Sequence, residues 1–275
     1  MTKVTVARPT GFCTGVERAI RLARRGKEKH GTVYTLGALV HNPSVLEELE
    51  QEGIRAVRRV SDARGGALVI RAHGCPPGVL EQCRELGITT VDATCPYVRK
   101  VQNVARRLKD QNYVVVVVGE RNHPEVKSIL GHSGAAGKVY APRMRLGDTK
   151  VGVVAQTTTS HARLSEAVAN LGERRYTELR VFDTICEEVT ARQEAAARLA
   201  GVCDLVIVVG GRNSANTSRL AEIVQDGGAD MVHVERAREL ARKSLEGRTR
   251  VGVVAGSSTP AWVVREVVAS AKKSL

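Results

Sequence analysis

Residues 114–126, VVVVVGERNHPEV, and residues 205–217, LVIVVGGRNSANT, decide the fold, because each is an apolar run that leads into Gly-x-Arg-Asn. The two stretches lie 91 residues apart, and so do Cys95 and Cys186, which places each cysteine 24 positions before the glycine. The same count from Cys13 reaches the glycine that closes the strand-like VYTLG. Because self-similarity at a fixed period marks a repeated architecture, the sequence predicts one structural unit used three times.

The order of elements within a unit predicts an α/β fold. Apolar runs of strand length alternate with segments of helical periodicity, and the runs are too apolar to be half-exposed strands. Strands of this kind are buried and mainly parallel, with helices on both faces. We therefore predict three similar small α/β domains packed around a shared centre, with the boundaries 14–95, 96–185, and 1–13 together with 186–275.

Composition limits the compartment and the chemistry. The longest purely apolar run, residues 114–118, is far shorter than the ~20 residues that a membrane-spanning helix needs. The first residues, MTKVTVARPTGFC, contain neither an apolar signal core nor a cleavage site, so a cytoplasmic location without a membrane partner is expected. In that compartment the six cysteines are expected to be thiols or metal ligands rather than disulfides.

The charge balance indicates an anionic partner. The chain has 42 basic and 29 acidic residues and a net charge of +13, which favours a nucleic acid, a phosphorylated substrate or an acidic protein. Aromatic residues make up only 3% of the chain, so the stacking platforms of single-strand nucleic-acid binders have little material. A nucleic-acid partner is therefore disfavoured.

The three cysteines in register are candidate metal ligands. Each falls between a strand-like stretch and a helical one, where backbone N–H groups and the helix dipole favour thiolate. Three thiolates close a zinc site only with a fourth ligand, whereas a 4Fe–4S cluster held by three cysteines keeps one iron open. The alternative is that they are small buried hydrophobic residues. Cys83 and Cys203 are predicted to pack in the core, and Cys75, close to His73, is ambiguous.

Polar residues follow the predicted strands. A position 28 residues after each of the three cysteines is polar, and three further strands end in polar tips; these six residues are His41, His123, Ser214, His73, Thr157 and Ser258. Open α/β sheets bind ligands at such strand ends, and helix starts hold phosphate. The six residues predict a pocket for a compact anion. A structural role for a histidine in such a loop is the alternative.

Glu125 has two interpretations. It follows His123 by two residues at a predicted helix start, where a carboxylate complements the helix dipole. A carboxyl group near an anion and a metal cluster also acquires a raised pKa and serves as a proton donor. The sequence leaves both interpretations open.

Nine motifs in order resemble one known family, that of the 4-hydroxy-3-methylbut-2-enyl diphosphate reductases, also called LytB/IspH. The motifs span nearly the whole chain and are GFCTGVERAI, LVHNPSVLEEL, IRAHGCPP, DATCP, NHPEV, AQTTTS, DTICEEVTARQ, NSANTSRL and AGSSTP. The resemblance implies three α/β domains in a pseudo-threefold cloverleaf around one central 4Fe–4S cluster. It further implies an oxidoreductase of isoprene biosynthesis by the non-mevalonate pathway, which reduces an allylic diphosphate alcohol to isopentenyl and dimethylallyl diphosphate.

The resemblance also implies roles for individual residues. The cluster ligands would be Cys13, Cys95 and Cys186, and Glu125 would supply protons to the substrate hydroxyl. The diphosphate would be held by His41, His73, Ser214, Asn216 and Ser258, and His123 and Thr157 would line the pocket with them. No Gly-x-Gly-x-x-Gly for a nicotinamide or flavin follows a strand, so electrons are expected from a separate carrier. Ferredoxin and flavodoxin are acidic as families, so either protein suits the positive charge of this chain.

Two departures from the family pattern leave alternatives open. Ala215 stands between Ser214 and Asn216 where many relatives have serine, and Glu187 and Glu188 follow Cys186 where Ala-Thr is common. A missing hydrogen bond to a charged group is worth ~1.5–3 kcal/mol, and acidic charge near a cluster lowers its potential. The alternatives are a paralogous 4Fe–4S dehydratase or reductase with a shifted substrate, and a non-enzymatic iron–sulfur sensor or RNA-binding protein.

Overall fold

A computed structural model describes residues 3–147 and 149–274. The chain forms two compact units, the first within Met1–Glu17, Val40–Glu48 and Glu187–Leu275 and the second within Arg18–Leu39 and Leu49–Cys186. The ends of the third predicted domain, residues 1–2 and 275, lie outside the described residues. None of the described helices is both long enough and apolar enough to cross a membrane.

Strands and helices follow one another along the chain in the order that the sequence predicts, and once in each sheet two successive strands have no α-helix between them. The strands are β1 (Lys3–Val6), β2 (Val33–Leu36), β3 (Ile54–Val57), β4 (Ala67–Ile70), β5 (Thr89–Asp92), β6 (Val114–Val118), β7 (Gly137–Val139), β8 (Lys150–Ala155), β9 (Glu178–Phe182), β10 (Leu205–Val209), β11 (Asp230–Val234) and β12 (Arg250–Ala255). The helices are α1 (Thr14–His30), α2 (Pro43–Gln51), α3 (Pro77–Glu85), α4 (Pro96–Asp110), α5 (Pro124–Ser133), α6 (His161–Gly172), α7 (Glu187–Val202), α8 (Ala215–Asp226) and α9 (Ala261–Ser274).

The strands form three four-stranded sheets. One sheet of the second unit has the order β3-β2-β4-β5 and the other has the order β7-β6-β8-β9, while the first unit contains β1-β12-β10-β11. Every pairing between neighbouring strands is parallel. The prediction of an α/β protein built from three similar parallel sheets is confirmed. The boundaries of the three domains stay a prediction.

The apolar runs form strands because both faces of each sheet are covered. In β10, Leu205, Ile207 and Val209 pack on one face against α9, and Val206 and Val208 pack on the other against α7 and α8. Alternate side chains of a strand point to opposite faces, so an all-apolar run fits only a strand buried on both sides. Each such aliphatic side chain contributes about 1.5–3 kcal/mol when it is fully buried.

The order of the strands sets the position of the ligand crevice. In each sheet the two central strands are separated in the chain by one crossover to an edge strand, as β6 and β8 are by β7. The helix after β6, α5, packs on one face, whereas the helix after β8, α6, packs on the other. The connections that leave the carboxyl ends of the two central strands therefore run to opposite faces of the sheet. Open α/β sheets bind ligands in the crevice at this point.

Candidate active site

The three cysteines in register occupy equivalent places in the topology. Cys13, Cys95 and Cys186 each stand immediately before the first residue of a helix, α1, α4 and α7 respectively. Each also follows an edge strand, since β1, β5 and β9 are the outermost strands on one side of their sheets. Every one of these thiols therefore lies at a helix N-terminus, where the dipole favours a negative sulfur.

A backbone hydrogen bond ties each of these cysteines to a polar strand tip. The N–H of Cys13 donates to the carbonyl of Ser257 at 2.9 Å, and the N–H of Cys95 donates to that of Ala72 at 3.0 Å. The N–H of Cys186 donates to the carbonyl of Thr157 at 3.0 Å. The acceptors belong to the tips that carry Ser258, His73 and Thr157, so each thiol is held beside a predicted anion ligand.

The Cys13 sulfur has a polar environment of its own. The N–H of Val16 approaches the sulfur at 3.4 Å. Burial raises the pKa of the Cys13 thiol above its ordinary value, and the Val16 N–H opposes that shift. Binding of a metal at this sulfur therefore displaces a proton from a buried thiol.

An ion pair stands next to Cys13. The Thr14 hydroxyl donates to the Glu188 carboxylate at 2.5 Å, and the Glu188 carboxylate lies 3.7 Å from the Arg192 guanidinium. Arg192 is only 1% exposed and donates to the carbonyl of Gly11 at 2.9 Å. The pair thus holds the Cys13 turn against α7, and the guanidinium balances the acidic charge of Glu188. Glu187 is exposed.

The other three cysteines belong to the packing of the protein. Cys83 is fully buried within an apolar cluster of the β3-β2-β4-β5 sheet, and Cys75 packs against the same cluster. Burial raises the pKa of Cys75 to about 12, so its thiol stays protonated. Cys203 packs against the cluster formed by α7 and α8. None of the six cysteines takes part in a disulfide.

Glu125 is a buried acid held by Thr157. The residue is 1% exposed, although it lies in the first turn of α5. The Thr157 N–H donates to one carboxyl oxygen at 2.6 Å, and the Thr157 hydroxyl donates to the other at 2.8 Å. Burial raises the pKa of Glu125 to about 7, against the two hydrogen bonds, which lower it. A carboxyl group with this pKa exchanges protons near neutral pH.

Two histidines stand beside this acid in the second unit. His123 caps α5, because its Nδ1 accepts the N–H of Glu125 at 3.2 Å. The His73 ring meets the His123 ring edge to face, with the ring centroids 5.3 Å apart. Of the predicted residues, the structure therefore brings His73, His123, Glu125 and Thr157 together.

In the first unit the loop of His41 is fixed from two sides. The Ser258 hydroxyl donates to the carbonyl of His41 at 3.2 Å. Gly211 lies against the same carbonyl, and a Cβ added there would stand 2.1 Å from the oxygen. Only glycine at position 211 permits this approach, which brings the tips of β10 and β12 to the His41 loop.

The start of α8 presents a buried amide. Ser214 caps the helix, and its hydroxyl accepts the N–H of Thr217 at 3.3 Å. Asn216 is 2% exposed, and within residues 3–147 and 149–274 neither its amide nitrogen nor its amide oxygen has a hydrogen-bond partner. An unsatisfied buried amide costs about 1–3 kcal/mol. A polar ligand at the helix start removes that cost.

Sequence reasoning missed the contacts that hold this site in place. Arg192 lies within the quoted DTICEEVTARQ, and its spacing of four residues from Glu188 is the signal that indicates a helical ion pair. The carbonyls of Ala72 and Ser257 have no sequence signal, because any residue supplies a carbonyl group. Ala215 is the first residue of α8.

The fold and these contacts define a class of α/β proteins in which three cysteines are bonded through their backbone N–H groups to the polar tips of three parallel sheets. The model of the LytB protein family matches residues 4–272, and the chain belongs to that family.

Known proteins are similar to this chain over nearly its whole length. A protein of Geotalea uraniireducens named 4-hydroxy-3-methylbut-2-enyl diphosphate reductase is 42% identical, over 98% of this chain and 97% of that one. A solved structure of (E)-4-hydroxy-3-methyl-but-2-enyl diphosphate reductase, described as the terminal enzyme of the non-mevalonate pathway, is 36% identical with a TM-score of 0.73 and covers 99% of this chain and 100% of its own. A Plasmodium falciparum reductase structure is 26% identical with a TM-score of 0.92 and covers 98% of this chain and 87% of its own.

Proposed function

We propose that this chain is an iron–sulfur oxidoreductase with the activity for which its relatives are named, reductive dehydroxylation of 4-hydroxy-3-methylbut-2-enyl diphosphate. The products are isopentenyl and dimethylallyl diphosphate, in the non-mevalonate pathway to isoprenoids. The reaction adds two electrons and two protons to the alcohol and releases water. A dehydratase, a sensor and an RNA-binding protein are not favoured, because relatives of full length carry the reductase name.

The cluster is assigned to Cys13, Cys95 and Cys186. Their equivalent places before α1, α4 and α7 and the N–H of Val16 on the Cys13 sulfur suit thiolate ligands. Three thiolates match a 4Fe–4S cluster with one open iron. When bound, such a cluster supplies single electrons and an open coordination position.

The side chains of this protein bind the substrate and move its protons. We assign the diphosphate to His41, His73, Ser214, Asn216 and Ser258, which lie at strand tips and helix starts. His123 and Thr157 line the pocket, and Thr157 keeps the Glu125 carboxyl in one orientation. Glu125 gives its proton to the departing hydroxyl oxygen, which leaves as water.

One observation carries the proposal: the backbone N–H of each of the three cysteines is bonded to a strand tip that bears a predicted pocket residue. The Thr157 carbonyl accepts from Cys186, while the Thr157 N–H and hydroxyl donate to Glu125. One residue therefore joins a cluster ligand to the acid. This linkage supports a reaction in which the proposed cluster and the Glu125 carboxyl act on the same bound substrate. Groups that are already positioned react faster, because the step becomes effectively intramolecular.

The test is anaerobic purification, iron and sulfide counting, and turnover of the diphosphate alcohol with dithionite and methyl viologen. We expect about four irons and four sulfides per chain, and one product molecule for every two electrons consumed. The monophosphate alcohol is expected to react far more slowly than the diphosphate. Equal turnover of both, or water loss without electron consumption, contradicts the proposal.

A separate carrier delivers the electrons in the cell, and we assign that part to ferredoxin or flavodoxin. Both are acidic as families, and the chain has a net charge of +13. A cytoplasmic location suits the three thiolates, because disulfides do not persist in reducing compartments.

Replacing Asn216 with alanine is expected to weaken substrate binding while leaving the fold unharmed. The variant removes a hydrogen bond to a charged ligand, worth about 1.5–3 kcal/mol, so Kd rises roughly 10- to 100-fold. The free energy of unfolding stays level or increases, because the amide is unsatisfied among the described residues. Titration calorimetry and thermal melting check both results.

The matched control for that variant is Asn170→Ala. The Asn170 amide donates to the Tyr140 hydroxyl at 2.8 Å, so its loss lowers stability and leaves substrate affinity unchanged. A fall in melting temperature with unaltered affinity for Asn216→Ala contradicts the assigned role.

Replacing Glu188 with glutamine is expected to raise the midpoint potential of the cluster. The change keeps the acceptor for Thr14 but removes a negative charge that acts on Cys13, and the reduced cluster is the more negative form. Glu187→Gln removes the same charge from an exposed neighbour, where water screens it, so its shift is smaller. Redox titration followed by electron paramagnetic resonance measures both, and equal shifts contradict the expectation.

A further inference from the structure

A basic groove runs along α4 beside Cys95. It encloses about 530 Å³, and its cationic side chains are Arg18, Arg99, Lys100 and Arg107. No acidic side chain is among the described residues that line it. Thr94 and Pro96, the two chain neighbours of Cys95, form part of the same wall. The groove therefore combines concentrated positive charge with the two chain neighbours of a proposed cluster ligand.

The charge follows from the pattern of α4. Val98, Val101 and Val104 are buried on one side of this helix, which leaves the positions of Lys100 and Arg107 exposed. Residues 100 and 107 are two helical turns apart and share one face. The groove is thus an outward face of α4, the helix that follows Cys95.

Three of the four cations are held in position. Arg18 donates to the carbonyl of Thr94 at 3.1 Å, and Arg99 pairs with Asp92 at 2.5 Å. The Arg107 guanidinium lies over the Phe182 ring, 5.7 Å from its centroid. Side chains that are already ordered lose less entropy when a partner docks. A preorganised basic face of this kind suits a partner with a fixed acidic surface.

We infer that this groove is the docking surface for a small acidic one-electron carrier protein, which delivers electrons beside Cys95. The inference rests on the proposed function, because only a reductase that takes electrons from another protein needs such a surface. Each docking event transfers one electron, so two reduced carriers are oxidised for each alcohol that is reduced to product and water. Complementary charge mainly accelerates encounter and fixes the orientation of the complex.

The test uses the holoenzyme and reduced ferredoxin as the probe. In Lys100→Glu/Arg107→Glu, we expect the Kd for ferredoxin at low salt to rise by about tenfold or more, and ferredoxin-driven turnover to fall with it. Turnover driven by dithionite and methyl viologen stays at the wild-type rate. The difference in Kd shrinks at about 0.5 M salt, where the Debye length falls to a few ångströms.

The matched control is Arg55→Glu/Arg58→Glu, which makes the same change in net charge. Both residues are exposed at or just after β3, the edge strand opposite β5 in the same sheet. The neutral variant Lys100→Gln/Arg107→Gln avoids the acidic side chains and is expected to give an intermediate loss of affinity. Equal loss of affinity in the groove and control variants, or none in the groove variants, overturns the inference. Failure of the wild-type enzyme with dithionite refutes the proposed function, whereas the binding measurement decides the docking surface.

Discussion

Replacing Glu125 with glutamine is expected to lower the turnover rate by about 10²-fold or more, the usual contribution of a positioned general acid. Glutamine keeps the shape: its amide oxygen accepts the Thr157 N–H, and its amide NH2 donates to the Thr157 hydroxyl oxygen in place of the present bond. It has no acidic proton to give. Iron content and substrate affinity therefore stay close to the wild-type values. All three quantities are measured on one anaerobic preparation.

A carboxylate that only complemented the dipole of α5 would behave differently. Its loss would cost at most about 1 kcal/mol of helix stability and would leave the chemistry intact. Near-normal turnover with an intact cluster would therefore show that the proton comes from elsewhere, and His123, which accepts the Glu125 N–H, is the next candidate.

The pH dependence follows from the same carboxyl group. Its pKa is raised to about 7 by burial, so the protonated acid is depleted as the pH rises through 7 and turnover falls. The folded state binds this proton more tightly than the unfolded chain, so its contribution to stability is lost between pH 4.5 and about 7. Glu125→Gln is expected to flatten that part of the stability profile.

Serine at Cys13, Cys95 or Cys186 is expected to remove most of the iron and the turnover. A hydroxyl group is a poor ligand for iron–sulfur clusters, which thiolates hold. Each variant is purified anaerobically and its iron, sulfide and visible absorbance are compared with those of the wild type. Loss of the cluster from all three positions, each before a helix, is the expected result.

The controls are the cysteines that pack in the core. Cys203→Ser and Cys83→Ala change residues in the apolar clusters and are expected to keep the cluster absorbance. Cys83→Ala leaves a small cavity, which lowers stability without removing iron. A variant of Cys83 that loses iron while Cys13→Ser retains it would show that the ligand assignment is wrong.

Spacing in the chain predicted the framework of the site because a repeated unit repeats its geometry. Cys95 and Cys186 precede equivalent glycines by the same count, and in the structure both stand at the start of a helix. The all-apolar VVVVV of β6 predicted a strand buried on both faces, which the structure confirms. Local patterns suffice for such features, because periodicity reports which faces are covered.

The remaining contacts join residues far apart in sequence, where no local pattern reports them. Arg192 reaches the carbonyl of Gly11 across 181 residues, and a carbonyl has no sequence signature. The two interpretations of Glu125 differ only in what the carboxyl group contacts. Its hydrogen bonds to Thr157, 32 residues further along the chain, depend on how β8 lies beside β6.

The pairing of β1 with β12, in which Lys3 faces Arg250, sets the order in which the sheets are completed during synthesis. A ribosome releases the N-terminus first, yet β1 has no partner strand until the last part of the chain is made. The two sheets of the second unit end at Phe182 and are complete before then. The N–H of Cys13 donates to the carbonyl of Ser257. Cys13 is therefore the last of the three cysteines to reach its folded position. We therefore expect the proposed cluster to load only after β12 has been synthesised, and a nascent chain that stalls before β12 is expected to carry no cluster.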